Sequence, residues 1–124
     1  MAKGFIETAE MICGKQEDLI YFGFYEGDNL LDFSAVIKNQ VDLFINQNKE
    51  VVCLVDLPGA TPFNACAIAL AETKYSVVAG ISLPFLLELL MSRNNDQEYK
   101  VIISESLESA VDSMKMFNIE EMFN

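Results

Sequence analysis

One strand-to-helix passage near the middle of the chain constrains the fold more than any other segment. The apolar run Val51–Val55 is typical of a strand buried on both faces of a sheet, and Asp56 follows it directly. Leu57–Ala60 predicts a type II turn, because Pro occupies the second position and Gly the third, where φ is positive. Thr61 and Pro62 then predict a helix N-cap and the first helical residue. A strand, tight turn and helix in this order favour a parallel α/β sheet.

Two further segments are predicted as strands, Leu19–Tyr25 and Tyr75–Ile81, because both are rich in aromatic or β-branched residues. Helical periodicity predicts helices that begin near Met1, at Leu30, at Thr61, at Ser82 and, with Ser104 as the cap, near the end of the chain. Residues 99–103 fit either a short strand or a loop. This alternation predicts an α/β fold with three layers, a mostly parallel sheet covered by helices on both faces, and one domain spanning residues 1–124.

Composition narrows the classes of function. The net charge is −11 and the eight basic residues are scattered singly, so nucleic acid is not expected as a partner. The acidity serves solubility or attracts a basic protein partner. Cys13, Cys53 and Cys66 lack metal-ligand spacing and lie in apolar settings, which favours buried thiols in a reducing cytoplasm. No apolar run approaches a membrane span and no leader pattern is present, so a cytoplasmic location is expected.

The strand-to-helix passage is also the candidate functional site. Ligands of open α/β sheets bind beyond the carboxyl ends of strands, where Asp56 is expected to lie. The turn at Gly59 and Ala60 presents backbone N–H groups, which form an anion cradle together with the Thr61 hydroxyl. Asp56 at the rim of this cradle could orient and stabilise an imidazole. The same residue types also occur in ordinary turns and helix caps, and that interpretation remains open on residue types alone.

Three blocks of sequence resemble one family. Asp56–Ala65 resembles the signature Asp-x-x-Gly-x-[Ser/Thr]-Pro-Phe-Asn-Ala of the mannose-type (mannose/fructose/sorbose) enzyme IIA domains, which belong to the bacterial phosphoenolpyruvate-dependent sugar phosphotransferase system. Phe5–Gly14 resembles the first helix of that family, and Tyr75–Arg93 resembles its fourth strand and the helix that follows. The resemblance covers roughly Ala2–Asp96, with the spacing between the blocks preserved.

The resemblance implies a phosphotransferase role. In this family, HPr donates a phosphoryl group to one histidine of the IIA domain, which passes it to a IIB domain for sugar uptake through a membrane IIC/IID complex. Asp56 matches the aspartate that holds the imidazole, Thr61 the hydroxyl beside the phosphoryl group, and Gly59 the turn glycine. Pro58 and Ala60 depart from the family, which often has an aromatic residue and a second glycine there. The resemblance also implies a homodimer and no metal or organic cofactor.

The acceptor histidine has no counterpart in the sequence, which contains no histidine at all. In the family this residue belongs to a His-Gly pair that ends the first, central strand, immediately before the first helix. The resemblance therefore implies that the chain is N-terminally truncated and inactive in histidine phosphotransfer by itself. In-frame codons upstream of Met1 are expected to encode an apolar strand ending in His-Gly.

Two other functions compete with this interpretation. One is a non-catalytic IIA-like module that regulates or binds other proteins. The other is a receiver-like domain in which Asp56 itself is phosphorylated. That function requires a second acidic cluster and a lysine after a late strand, and the sequence shows neither. The apolar residues from Met114 to Phe123 favour either a dimer interface or packing on the core of their own chain.

Overall fold

The computed structural model describes residues 1–123 and contains, in chain order, α1 Ala2–Cys13, α2 Leu30–Asn46, β1 Val52–Val55, α3 Thr61–Ala69, β2 Ser76–Ala79, α4 Leu83–Ser92, α5 Tyr99–Ser113 and α6 Ile119–Met122. The chain divides into two compact units, Met1–Ile81 and the residues from Ser82 onward. The first unit contains both strands and the whole candidate site. The predicted α/β class with a parallel sheet is confirmed, with a sheet of two strands in the described residues.

The sheet of the first unit fixes where the candidate site lies. β1 and β2 are parallel, with Val52 opposite Ser76 and Val55 opposite Ala79. Beyond this pairing, the Ile81 N–H donates to the Val55 carbonyl at 3.3 Å, so the two strands also end together. Asp56 is therefore at the carboxyl-end edge of the sheet, as the sequence predicts.

The core of the first unit forms where α2 and α3 pack together and α3 lies against both strands. Its buried residues are Ile37, Val41, Val51, Val55, Ala65, Cys66, Ala69 and Leu70. Small side chains on α3 allow this close approach, because Ala65 and Ala69 are fully buried. The passage that carries the site is thus anchored at both ends, by β1 before it and by α3 after it.

Two helix ends of the first unit are set by residues at or next to the end. Asn29 caps α2, and its side-chain oxygen accepts a hydrogen bond from the Asp32 N–H at 2.9 Å. Gly14 ends α1 with a φ of 85°, and its N–H donates to the Glu10 carbonyl at 2.9 Å. A side-chain cap thus sets the start of α2, and a left-handed glycine sets the end of α1.

The strand predicted at Leu19–Tyr25 is wrong. The segment is placed in no strand, and the backbone groups of residues 19–24 form no hydrogen bond with any part of residues 1–123. Phe22 nevertheless packs against the core, and the Phe24 ring lies 5.1 Å from the Phe33 ring on α2. Aromatic packing therefore holds the segment against the core of the first unit, but within residues 1–123 no strand pairs with it.

The second unit begins with α4, whose predicted start is confirmed, because the Ser82 hydroxyl accepts from the Phe85 N–H at 3.3 Å. Its helices α4 and α5 pack together. The Ser104 cap is wrong: α5 begins at Tyr99 after Glu98, so residues 99–103 are its first turns and neither a strand nor a loop. Ile102 and Ser106, four residues apart, are both buried, and this spacing requires the helix to extend through them.

The residues after α5 are exposed. Asn118 caps the short α6, and its side chain accepts from the Glu121 N–H at 3.4 Å. Met116 is 93% exposed and Phe123 is 81% exposed, so the expectation that these side chains pack on the core of their own chain is wrong. Within the described part of the chain, no helix has the length and apolar character needed to cross a membrane.

Candidate functional site

Asp56 is exposed and follows β1 directly. Its carboxylate forms no hydrogen bond or ion pair with any of residues 1–123, whereas the preceding carbonyl, that of Val55, is fixed by the bond from Ile81. The backbone beside Asp56 is therefore held by the sheet. The side-chain oxygens of Asp56 remain available to accept a hydrogen bond from a ligand or partner.

The turn after Asp56 contains the predicted left-handed glycine. Gly59 has a φ of 76°, a conformation that other residues rarely adopt, and a side chain at this position would meet open space. The glycine is thus required by the backbone and not by a close neighbour. Leu57, Pro58 and Gly59 are all exposed, so a molecule of solvent size or larger can reach the turn.

The start of α3 differs from the prediction by one residue. Ala60 is the N-cap, because its carbonyl accepts the first helical hydrogen bond, from the Asn64 N–H at 3.0 Å. Thr61 is the first helical residue, and the predicted capping role of its hydroxyl is wrong. That hydroxyl has no hydrogen-bond partner within residues 1–123, which leaves it free to bind a ligand.

Free backbone N–H groups lie close together at the turn and the start of α3. The N–H groups of Gly59, Ala60 and Thr61 donate no hydrogen bond within the described chain. Unpaired N–H groups at a helix start, together with the helix dipole, attract anions. The four predicted site residues, Asp56, Gly59, Ala60 and Thr61, all lie on the single connection between β1 and α3.

Asn64 is a positioning residue that the sequence prediction missed. Its side-chain Nδ2 donates to the Gly59 carbonyl at 3.4 Å, so the first turn of α3 braces the glycine turn. An amide side chain in the first helical turn after a glycine was the available signal, because such side chains bind nearby backbone groups.

Two of the three thiols lie on the elements that flank the site, Cys53 on β1 and Cys66 on α3, whereas Cys13 is on α1. The interaction with the Cys66 thiol, together with burial, raises the pKa of Cys53. The interaction with the Cys53 thiol lowers the pKa of Cys66, against the opposing effect of burial.

The chemistry of the site is that of an anion-binding loop with an acid at its rim. The described residues contain no group of three or more His, Cys, Asp or Glu side chains that could hold a metal ion. A shallow depression of about 350 Å³ is lined by Leu107, Glu108, Val111 and Asp112 on α5, and none of the four predicted site residues lines it. The loop can hold a phosphate-like group and orient a cationic ring, but it contains no nucleophilic nitrogen.

Comparison with known proteins identifies the class. A family profile described as "PTS system fructose IIA component" (EIIA-man) matches residues 1–110. The mannose-specific EIIAB component of Escherichia coli strain K12 is 31% identical over 115 residues, which is 92% of this chain and 35% of that protein. The fructose-specific EIIA component of Bacillus subtilis is 36% identical over 90 residues, 72% of this chain and 61% of that protein.

A solved structure agrees with this result. The PTS IIA protein associated with the fucose utilization operon of Streptococcus pneumoniae has a TM-score of 0.80 and 30% identity, covering 98% of this chain and 88% of that one. The fold and the sequence thus define a sugar phosphotransferase system component of the EIIA type. The chain belongs to the EIIA-man family. It spans about a third of the length of the mannose-specific relative.

Proposed function

We propose that this chain is the IIA component of a sugar phosphotransferase system and relays a phosphoryl group from HPr to a IIB domain, using a histidine supplied from outside the 124 residues. The observation that carries the proposal is the connection between β1 and α3. It combines an unpartnered carboxylate, a free hydroxyl and free backbone donors in a chain of the EIIA-man family. In this proposal the chain is cytoplasmic, and it acts on a membrane IIC/IID complex only indirectly, through the IIB domain.

Each group has a role in this proposal. The Asp56 carboxylate accepts a hydrogen bond from the imidazole N–H. This bond fixes the orientation of the ring and stabilises its charged forms. The Thr61 hydroxyl and the N–H groups of Gly59 and Ala60 bind the oxygens of the phosphoryl group. Transfer then depends on positioning and on preorganised donors around the charged oxygens, without a metal or organic cofactor.

The open backbone of the first unit supports the entry of an additional strand. Within residues 1–123, β1 pairs with β2 alone, and the backbone groups of residues 19–24 are unpaired. The Lys49 ammonium lies 3.0 Å from the Asp18 carboxylate, so the residues just before both segments are neighbours. A strand between them would satisfy both sets of backbone groups and deliver the residue at its carboxyl end beside Asp56.

The test extends the chain at its amino end with an apolar strand that ends in His-Gly. Incubation with enzyme I, HPr and radioactive phosphoenolpyruvate is expected to label the extended chain with one acid-labile phosphoryl group per molecule. The chain without the extension, and the extended chain with this histidine changed to Ala, should remain unlabelled. Asp56→Asn in the extended chain should slow labelling by about tenfold or more.

The alternative is a non-catalytic regulatory or protein-binding module, which the absence of histidine from the sequence favours. This alternative predicts that the extended chain folds but remains unlabelled, while the IIB domain or HPr still binds. Equal labelling of the extended chain and its His→Ala control would contradict the relay, because the phosphoryl group would then reside elsewhere.

A further inference from the structure

A shallow depression on the exposed side of α5 lies outside the candidate site. It has a volume of about 350 Å³ and is lined by two apolar and two acidic side chains, Leu107, Val111, Glu108 and Asp112. Leu107 is 41% exposed and Val111 is 71% exposed, whereas the buried residues of α5 lie on a different side of the helix. The depression is therefore a surface that residues 1–123 leave open to a ligand.

Helical spacing divides the lining of the depression into two parallel stripes. Leu107 and Val111 are four residues apart, and so are Glu108 and Asp112, so the members of each pair lie one turn apart on one side of α5. The acidic stripe is displaced from the apolar stripe by about 100° around the helix axis, because a helix turns by that angle at each residue. A ligand fits both stripes only if it presents an apolar edge beside a charged one.

The two acids of the depression are not neutralised by the rest of the described chain. Glu108 and Asp112 form no hydrogen bond or ion pair within residues 1–123. They lie in the last two turns of α5, where the helix dipole is negative, and the last turn contains no basic side chain. Residues 82–124 as a whole carry eight acidic and three basic side chains. Positive charge on a ligand would therefore be stabilised at this end of α5.

The chemistry of the two stripes discriminates between possible ligands. A metal ion is disfavoured, because the described residues contain no group of three or more His, Cys, Asp or Glu side chains that could hold one. A second copy packed α5 against α5 would bring further acids to the same face, and an anionic membrane surface would be repelled in the same way. A basic amphipathic helix supplies both an apolar and a positively charged edge.

We propose that this face of α5 is a docking site for a basic amphipathic helix of another protein. Apolar side chains of that helix, one turn apart, pack on Leu107 and Val111, while its lysine or arginine side chains lie beside Glu108 and Asp112. The apolar contact is small and the charges are exposed, so the complex is transient and weakens with salt. This inference does not depend on the phosphoryl relay.

Titration of the purified chain with a synthetic peptide, followed by NMR of the backbone amides, tests the docking site. The peptide has about 14 residues, with leucine repeated every three or four positions and lysine at the others. We expect saturable shifts that are largest at residues 107–112, and a Kd that rises at least tenfold between about 50 mM and about 500 mM salt. A peptide of the same composition, rearranged so that no helix face is apolar, should bind at least about tenfold more weakly.

Two double variants with the same change in charge separate the depression from general attraction to an acidic protein. Glu108→Gln combined with Asp112→Asn should weaken binding of the peptide at least about tenfold. Glu120→Gln combined with Glu121→Gln removes the same charge from exposed positions on α6 and should weaken binding less than about twofold. Circular dichroism verifies that both double variants fold, since all four positions are exposed.

Two exposed valines test the apolar stripe. Val111→Ala should weaken binding about threefold, whereas Val36→Ala, which shortens a valine that is 52% exposed on α2, should leave it unchanged. Absence of saturable binding up to about 1 mM peptide would overturn the proposal, as would equal weakening by the two double variants. Shifts at residues 107–112 that depend on protein concentration without peptide would also overturn it, because a second copy would then cover the face.

Discussion

Two segments of the first unit, β1 and residues 19–24, differ in what their backbones bind. β1 pairs with β2 over four consecutive positions, and its side chains contribute to the core. Residues 19–24 have similarly apolar side chains, two of which pack on the first unit, but their backbone is unpaired within the described residues. Side-chain packing can therefore hold a segment against the core, while a strand exists only where a second backbone supplies donors and acceptors.

The largest expected difference between the two segments is in how much free energy of unfolding is lost when an aspartate is introduced. Val55 on β1 is 6% exposed, and Val55→Asp should reduce the free energy of unfolding by about 4 kcal/mol, because the carboxylate would be buried without a partner. Ile20 is 47% exposed, and Ile20→Asp should change it by no more than about 0.5 kcal/mol. Urea denaturation of both variants measures the contrast, and equal losses would mean that residues 19–25 are as integral to the unit as β1.

The second largest difference between the two segments is expected in the protection of their amides from hydrogen exchange. Amides of β1 and β2 that take part in the pairing open only with the unit, whereas those of residues 20–24 have no acceptor within residues 1–123. We expect protection in the strands to exceed that in residues 20–24 on the order of 100-fold. Tyr25 is an internal control, because its N–H donates to Asp28 Oδ2 at 2.8 Å. Protection of residues 20–24 equal to that of the strands would indicate an additional partner, such as a second chain.

A smaller difference in stability is expected between substitutions of two glycines, one in the turn after β1 and one in residues 19–24. Gly59→Ala should cost about 1 kcal/mol, because the residue has a φ of 76° although space for a methyl group is available. Gly23→Ala should cost less than about 0.5 kcal/mol, because the nearest atoms to the new methyl group belong to the exposed Tyr25 ring, which can move aside. Thermal unfolding of the two variants measures both costs. A larger effect at Gly23 would indicate that the Tyr25 ring is fixed.

The smallest expected effect is that of the Asp18–Lys49 ion pair, which joins the residues preceding the two segments. Both side chains are more than 40% exposed, so their coupling should be at most about 0.5 kcal/mol and should weaken with salt. A double-mutant cycle with Asp18→Asn and Lys49→Met measures it. A coupling above about 1 kcal/mol, insensitive to salt, would show that the two segments are held together more rigidly than side-chain packing requires.

The features that the sequence predicted correctly depend on nearby residues. The Ser82 hydroxyl binds backbone only three residues away, and the turn at Gly59 needs only its own φ. The four predicted site residues are consecutive or nearly so along one connection, which is why a local pattern could place them. Whether they act in phosphoryl transfer remains a prediction.

The features that were predicted wrongly depend on contacts between distant residues. The segment Leu19–Tyr25 has strand composition, but pairing is decided elsewhere in the chain or beyond it. The first turns of α5 were missed because the burial of Ile102 and Ser106 is a property of the packed second unit.

The bond from Asn64 to the Gly59 carbonyl has a mechanical consequence. It ties the turn and Thr61 to α3, whereas Asp56 follows a residue that is tied to the sheet through Ile81. The acid and the N–H groups that follow it are thus held by different elements, Asp56 by the sheet and the glycine turn by the first turn of α3. Loss of the Asn64 amide would therefore loosen the turn while Asp56 keeps its place at the end of β1.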